Sequence, residues 1–232
     1  MKSEYLLLNL LIVLGPLLMS FEKQIRFVTK WRYAFAAIAI TAAPYLVWDA
    51  LVTGRHWWFN PKYTFNARLA NLPLEEWLFF FTVPFAALFV WETIKFYFPR
   101  RPSRMLQGFG YLLFAGIALG FFLFTRGKEY TGLMLIALGS SAVLDAMLRT
   151  KLFAQTRLLL YLASLAVVTL ICNGYLTARP VVLYDEQYQL GVRVGTIPIE
   201  DFGYGFSLVL FVTIMYEKFI MAAQPRLGRG LQ

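Results

Sequence analysis

Two pairs of carboxylic acids directly follow a proline in this sequence, in the segments PLEEW at 73–77 and PIEDF at 198–202. The second segment lies 125 residues after the first, and each opens a long hydrophobic stretch. Acids are costly in a lipid environment, and two close carboxyl groups there cannot both ionise easily. One acid of a pair can then donate a proton while its partner accepts one. The candidate catalytic residues are Glu75, Glu76, Glu200 and Asp201.

The same segments also have a purely structural interpretation. Proline suits the first turn of a helix, where its missing N–H is not needed, and acids there interact favourably with the helix dipole. One acid is enough for that purpose, whereas both segments carry two. The second acid favours a functional site, but the structural alternative remains open at this point.

Other residues are expected near the acids because they lie at the same end of the apolar stretches. Asp49 follows Trp48, and sliding the sequence on itself brings Asn173 opposite Asp49 with one residue of slippage. Aromatic faces can stabilise a carbocation. The candidate substrate-binding residues are Asp49, Asn173, Trp48, Trp77, Phe80, Phe202 and Tyr204. Glu92 and Glu217 lie too far along their helices and are expected to be structural.

The distribution of apolar residues predicts an all-α polytopic membrane protein. The 232 residues are 59% hydrophobic, and apolar windows long enough to cross a bilayer suggest seven transmembrane helices. They fall at 5–21, 33–52, 77–96, 108–124, 131–148, 158–176 and 202–219. The first window has no cleavage site after it and is expected to be retained.

The net charge of +9 fits membrane topology better than nucleic-acid binding. Lys and Arg stand at the ends of the apolar windows, with 14 on one side of the membrane and 8 on the other. The positive-inside rule then predicts a cytoplasmic C-terminus in an integral cell-membrane protein and places both acid pairs at the outer face. We expect no nucleic-acid partner.

The offset of 125 residues also aligns the first three apolar windows with the last three. Four helices separate each window from its counterpart, so the two units run in the same direction, as parallel repeats. The sequence therefore predicts a first repeat at 1–98, a linker helix at 99–129, a second repeat at 130–221 and a tail at 222–232. The loops at 53–72 and 177–197 are expected to cover a central cleft.

Several common cofactor signatures are missing from the sequence. It has no glycine-rich dinucleotide or phosphate motif, no Asp-rich magnesium motif, and a single histidine, His56, which we interpret as an interfacial loop residue. The prediction is a redox-neutral acid–base reaction on an apolar molecule, with no cofactor and no metal.

The duplicated acid motif, together with Asn173-x-x-x-Thr177 and Asn60-Pro61, resembles the small membrane lycopene cyclases. That family has two three-helix units, separate or fused, and this chain resembles the fused form over nearly its whole length. The resemblance implies an isomerase of carotenoid biosynthesis that turns the linear ends of lycopene into cyclohexene rings, most simply β rings. It implies lycopene and membrane lipid as partners, with other carotenoid-pathway enzymes as further candidates.

Two alternatives stay open at this level. A cyclase acting on a longer, prenylated carotenoid would carry the same motifs. A transporter or proton relay would instead need polar residues spread through the membrane depth, whereas the acids here cluster at one end of the helices. A retinal protein would require a lysine in the middle of the last apolar stretch, where none is present.

Overall fold

The computed structural model describes residues 3–65 and 67–223, and this part of the chain is mostly helical. The predicted tail at 222–232 lies almost entirely outside the described residues. The helices are α1 (Glu4–Met19), α2 (Trp31–Val52), α3 (Leu74–Tyr97), α4 (Arg104–Thr125), α5 (Glu129–Leu148), α6 (Arg157–Ala178) and α7 (Ile199–Ala223). The short strands are β1 (Trp57–Phe59), β2 (Arg68–Leu69), β3 (Leu72–Pro73), β4 (Val182–Tyr184), β5 (Arg193–Val194) and β6 (Ile197–Pro198).

Six of these helices, α2 to α7, are long and apolar enough to cross a membrane. The helix α1 is also apolar but has only 16 residues, which corresponds to roughly 24 Å and is shorter than a typical hydrocarbon core. The backbone turns after Ser20 and passes through a left-handed conformation at Arg26 before a 3-10 turn leads into α2. The integral membrane character follows from α2 to α7, while a seventh crossing by α1 stays a prediction.

The helices pack in two similar groups that contact each other. Helix α1 packs on α3, α5 packs on α7, and the contacts of α2 with α7 and of α3 with α6 join the groups. Helix α4 packs mainly on α5. This contact is close because Gly120 and Gly132 face each other, and a Cβ at Gly120 would lie 2.5 Å from the Gly132 carbonyl oxygen.

The two long loops meet over one end of the helices. Strand β1 of the first loop pairs antiparallel with β4 of the second, with Trp57 opposite Tyr184. Each loop then forms a small hairpin, β2 with β3 and β5 with β6, that leads directly into α3 or α7. We call residues 53–73 and 177–198 the two lid loops.

The other end of the bundle holds Glu92 and Glu217 in a charged cluster. The indole N–H of Trp91 donates to Glu217 at 2.8 Å, and the Tyr216 hydroxyl donates to Glu92 at 2.9 Å. The Lys95 ammonium group binds both glutamates, at 2.8 and 2.7 Å. The aromatic residue of each half therefore bonds to the glutamate of the other half.

Candidate active site

Local structure explains why the acid pairs stand where they do. Pro73 ends β3 in an extended conformation (φ −61°, ψ 150°) and caps α3, whose first turn contains Glu75 and Glu76. Pro198 is the last residue of β6 and directly precedes α7, whose first turn contains Glu200 and Asp201. All four carboxyl groups are buried, so the acids do not serve only as exposed helix-dipole partners.

The second acid of each pair lines a central cavity of about 160 Å³. Glu76 of α3 and Asp201 of α7 reach it from the two halves, and Asp49 of α2 joins them. The rest of its wall is predominantly aromatic and aliphatic. The aromatic lining residues are Tyr5, Tyr45, Trp48, Trp57, Phe59, Phe79, Phe80, Tyr130, Tyr184 and Tyr204.

The first acid of each pair is directed to a lid loop. One oxygen of Glu75 accepts the backbone N–H of Phe65 at 2.6 Å, and one oxygen of Glu200 accepts that of Leu190 at 2.7 Å. The Thr131 hydroxyl also donates to Glu200, at 2.5 Å. Glu75 and Glu200 thus hold the lid loops against the helices that carry the cavity acids.

Glu76 faces a second carboxyl group. The Tyr5 hydroxyl donates to Glu76 at 2.5 Å, and the Asp49 and Glu76 carboxyl groups are close enough for a hydrogen bond once one is protonated. Asp49 also accepts the indole N–H of Trp57 at 2.8 Å and the Thr53 hydroxyl at 3.1 Å. The carboxyl pair therefore joins Glu76 to Asp49, not to its sequence neighbour Glu75.

Within the described residues, the side chains that hydrogen-bond to Asp201 are all donors. The hydroxyl groups of Tyr130 and Tyr184 donate to it at 2.6 and 2.8 Å, and the Asn173 amide donates at 3.0 Å. Burial raises the pKa of Tyr184 well above its ordinary value, and the charge of Asp201 adds to this effect. Tyr184 consequently remains a proton donor, and three donors stabilise the ionised form of Asp201.

His56 fixes the lid loops above this cavity. Its side chain is buried, its Nε2 lies 3.0 Å from Glu129, and its ring stacks on Tyr188 with 4.2 Å between centroids. Burial lowers the pKa of the imidazole, against the opposing effect of Glu129. His56 was expected at an interface in a loop; it is in the loop, but its ring is packed between the two lids.

The predicted substrate-binding residues divide into two groups. Five of them line the cavity, namely Asp49, Asn173, Trp48, Phe80 and Tyr204. Trp77 lies on a separate groove and donates its indole N–H to the Leu69 carbonyl at 3.0 Å. Phe202 packs edge-on against Phe206, with 6.5 Å between ring centroids.

Tyr5, Tyr130, Tyr184 and Trp57 contact the cavity acids, and the sequence analysis did not identify them as site residues. A signal was present for two of them, because Tyr5 and Tyr130 are separated by the same 125 residues as the acid motifs. Tyr184 and Trp57 lie in the lid loops, where no periodicity indicates the direction of a side chain. Their roles depend on the pairing of β1 with β4.

Buried acids thus line an aromatic cavity inside a bundle of apolar helices that are long enough to cross a membrane. A model of the family described as lycopene cyclase matches residues 2–94 and again residues 127–219. The two matches cover most of the chain, so the chain belongs to the lycopene cyclase family. Both contain one Pro-x-acid-acid motif.

One relative carries a related name. The C(50) beta-cyclic carotenoids biosynthesis protein LbtBC of Dietzia sp. (strain CQ4) is 31% identical over 64 residues. The aligned segment covers 28% of this chain and 14% of that protein, so the chain spans only a small part of the relative. No solved structure matches the chain.

Proposed function

We propose that this protein is a lycopene cyclase that converts the linear ends of lycopene to cyclohexene rings, most simply β rings, without net oxidation or reduction. Membership of the family supports a carotenoid substrate. The observation that carries the proposal is that Asp49, Glu76 and Asp201 converge on a single aromatic cavity. The individual roles below are our assignments.

The acid is the pair formed by Asp49 and Glu76. Both carboxyl groups are buried, with exposed fractions of 4% and 7%, and they face each other. Two close carboxylates in a medium of low dielectric constant repel each other strongly, so the pair retains one proton. Trp57 and Thr53 already donate to Asp49, which favours Glu76 as the carrier of that proton.

The base is Asp201. Its three donors stabilise a carboxylate without neutralising it, and no second acid faces it in the way that Asp49 faces Glu76 within the described residues. Asn173 occupies the position that corresponds to Asp49, and an amide cannot share a proton with a carboxylate as an acid does. The two halves therefore carry out opposite halves of one reaction.

The proposed reaction adds one proton and removes one. Glu76 protonates the terminal double bond, which leaves a tertiary carbocation, and the neighbouring double bond attacks this cation and closes the ring. Asp201 then removes a proton from a carbon next to the new cationic centre, and that C–H electron pair becomes the ring double bond. Product and substrate are isomers, and the transferred proton must return from Asp201 to Glu76 before the next turnover.

The cavity wall protects the cation. The faces of Trp48, Phe80 and Tyr204 offer stabilisation to a positive charge that a nucleophile such as water would trap. The paired strands β1 and β4 contribute Trp57, Phe59, Val182 and Tyr184 to the cavity wall. Glu75 and Glu200 act as positioning residues, since they hold the lid loops and not the substrate.

The same proposal includes the architecture. We infer two parallel repeats of three helices joined by α4, with α1 as a seventh crossing and the C-terminus in the cytoplasm. Support comes from contacts that recur 125 residues apart, such as Tyr5 with Glu76 and Tyr130 with Asp201. The guanidinium groups of Arg68 and Arg193 likewise bind a backbone carbonyl three residues on, at 2.9 and 2.8 Å.

A prenylated C50 carotenoid is the second candidate substrate. The name of the Dietzia relative refers to C(50) beta-cyclic carotenoids, which favours this alternative. The acid and base roles would be the same, because only the groups attached to the reacting end differ. Supplying each linear precursor to the same membranes and comparing the products distinguishes the two substrates.

The direct test is to express the chain in a host that accumulates lycopene and to separate the pigments by chromatography. Cyclic product is expected from the wild type and is expected to be lost in Glu76→Gln and Asp201→Asn. Absence of cyclic carotenoid with well-expressed wild-type protein, from both precursors, would overturn the proposal. Chromatographic identity of the product also assigns the ring type and the number of cyclised ends.

A further inference from the structure

A second apolar depression, which we call the lateral groove, lies between α2 and α3 on the outside of the bundle. Its volume is about 830 Å³, roughly five times that of the acid cavity. On α2 it extends from Phe35 to Leu51, which corresponds to roughly 24 Å along the helix axis. Its depth depends on small side chains, namely Ala39, Ala42, Ala43, Ala50 and Ala70.

The acid cavity is too small for a whole carotenoid. A cavity of about 150 Å³ holds a molecule the size of benzene, and the acid cavity of about 160 Å³ is similar. One ring-sized end group fits this volume, whereas the long polyene attached to it does not. The rest of the substrate must therefore leave the cavity through its wall.

Phe80 marks one place where it can leave. This residue lines both the acid cavity and the lateral groove, one helical turn after Glu76. Its ring contacts Tyr45, another cavity residue, at 6.3 Å between centroids. A chain that passes beside Phe80 would have its end group at the acids and its length against the outer face of α2.

Resting on the function proposed above, we propose that the lateral groove binds the linear polyene of the substrate while its end group occupies the acid cavity. The groove suits this ligand because its lining is almost wholly apolar, with the Asn71 side chain at the lid end as its polar exception. Trp77 also lies there, with its polar N–H already bound to Leu69. A long rigid hydrocarbon needs this kind of extended, non-polar surface.

The proposal predicts that filling the groove affects long substrates selectively. Ala39 and Ala43 both line the groove and are exposed, so Ala39→Phe and Ala43→Phe add bulk there without disturbing the packed core. Ala36 is equally exposed on α2 but does not line the groove, and Ala36→Phe is the matched control. Each protein is assayed in membranes with lycopene and with a short analogue that has the same end group.

We expect the double variant Ala39→Phe/Ala43→Phe to lower cyclisation of lycopene by about tenfold or more, which corresponds to about 1.4 kcal/mol of lost binding. The lycopene concentration that gives half the maximal rate should rise. Turnover of the short analogue should stay within twofold of the wild-type value. The groove assignment would be overturned if the double variant matched the wild type with both substrates, or if it lost activity equally with both. Cyclisation by the wild type would still support the proposed function in either case.

The cavity wall offers a competing route at Val168 of α6, which is 42% exposed and lines the acid cavity. Val168→Phe tests it with the same pair of substrates. A selective loss with lycopene in Val168→Phe and none in the groove variant would assign the polyene to the α6 side and refute our assignment. A selective loss in the groove variant alone supports it.

A binding measurement decides the matter even if no cyclisation occurs. Lycopene added to purified wild-type protein in lipid nanodiscs should quench tryptophan fluorescence, and Trp77→Phe should remove much of that quenching. The groove variant should bind severalfold more weakly than Ala36→Phe. Lipids with brominated acyl chains also quench tryptophan fluorescence when they lie against the groove. If added lycopene does not reduce this quenching by lipid, lipid alone occupies the groove and the proposal is wrong.

Discussion

The two acid sites of this molecule have the same framework but different chemistry. In both, a helix begins after proline, its first acid binds a lid loop, and its second acid accepts a hydrogen bond from a tyrosine near the start of an earlier helix. They differ in their neighbours: Asp49 faces Glu76, whereas Asn173 stands in that position beside Asp201, and Tyr184 donates a further hydrogen bond to Asp201. A carboxyl neighbour allows a shared proton, whereas an amide neighbour stabilises a charge.

This difference shows how a duplicated unit can serve an asymmetric reaction. Cyclisation needs a donor and an acceptor of protons at different places on one substrate, and in our proposal one motif in two electrostatic settings supplies both. In our proposal the framework residues set the positions of the acids, while their neighbouring side chains set their protonation. The following experiments test that distinction, beginning with the largest expected effect.

Replacing either cavity acid by its amide should nearly abolish cyclisation. We expect Glu76→Gln and Asp201→Asn each to lower turnover by roughly 10²- to 10⁴-fold, the usual contribution of a general acid or base. The assignment of roles is tested in heavy water. Asp201→Asn should still exchange deuterium into recovered linear substrate, because protonation is reversible there, whereas Glu76→Gln should not; the reverse pattern would exchange the two roles.

Exchanging the distinguishing neighbours should affect both sites. Asp49→Asn removes the shared proton and Asn173→Asp adds a competing carboxyl group, so each should lower turnover by roughly 10- to 100-fold, or about 1.4 to 2.8 kcal/mol. The double exchange Asp49→Asn/Asn173→Asp should be more active than the product of the single effects implies. Strict additivity of the two free-energy changes in this cycle would contradict the division between acid and base.

Removing a hydroxyl donor from Asp201 should have a smaller effect. Tyr130→Phe and Tyr184→Phe each remove one of three hydrogen bonds to a charged group, for which we expect the lower end of the usual range, about 1.5 kcal/mol, and turnover should fall by about tenfold. Tyr175→Phe is the control, since that hydroxyl binds Glu4 outside the cavity at 2.8 Å. Rates are measured at several pH values. The fall in rate on the acid side of the pH–rate profile should move to higher pH only in Tyr130→Phe and Tyr184→Phe, because these variants lose a donor that stabilises the ionised form of Asp201.

The first acids of the two motifs should behave alike, unlike the second acids. Glu75→Ala and Glu200→Ala each remove a partly buried hydrogen bond from the backbone of a lid loop, which should cost about 1–3 kcal/mol of unfolding free energy. Chemical denaturation in detergent measures this, with the exposed Glu186→Ala as control. A loss of turnover as large as that of Glu76→Gln, with normal stability, would assign these acids a direct catalytic role.

The smallest effect is expected from pH at the lid joint. The His56 pKa is lowered in the folded protein, with Glu129, Arg55 and Asp185 as its charged neighbours, so the unfolded chain binds a proton more readily. Stability contributed by His56 should therefore be fully present above about pH 6.5 and be lost as the pH falls below that value. The melting temperature of His56→Gln should depend less on pH between about 5 and 7 than that of the wild type; an unchanged slope would exclude His56 as the source.

Much of the fold could be predicted from the sequence, because long apolar windows indicate membrane-spanning helices directly. The windows for α2 to α7 agree with the structure to within a few residues, apart from slightly longer ends such as Ala223 of α7. The window at 5–21 illustrates the limit, since apolar composition alone did not reveal that the helix ends at Met19. The acid motifs were identifiable because both their type and their spacing recur.

The detailed site was less accessible. The sequence indicated two acids in each motif, and consecutive side chains on a helix point about 100° apart. It did not indicate that the second acid faces the cavity while the first binds a lid loop. Asp49 was a candidate, yet its partnership with Glu76 depends on how α2 packs on α3. Contacts between distant segments, such as Trp57 with Asp49, depend on loop paths that local patterns do not determine.

The hydrogen bonds that join the two halves at the end of the bundle opposite the lid loops predict what happens when the halves are produced as separate polypeptides. Trp91 binds Glu217 and Tyr216 binds Glu92. The first half alone therefore leaves the Trp91 indole without its acceptor, although Glu92 keeps Lys30 and Lys95. The second half alone leaves the Tyr216 phenol without Glu92 and leaves Glu217 without Trp91 and Lys95. Two polypeptides cut within the α4 region would find in each other the groups that each lacks. Coexpressed fragments should then reassemble into working enzyme, while two copies of the same fragment would bring together identical aromatic residues and acids in place of the native combination.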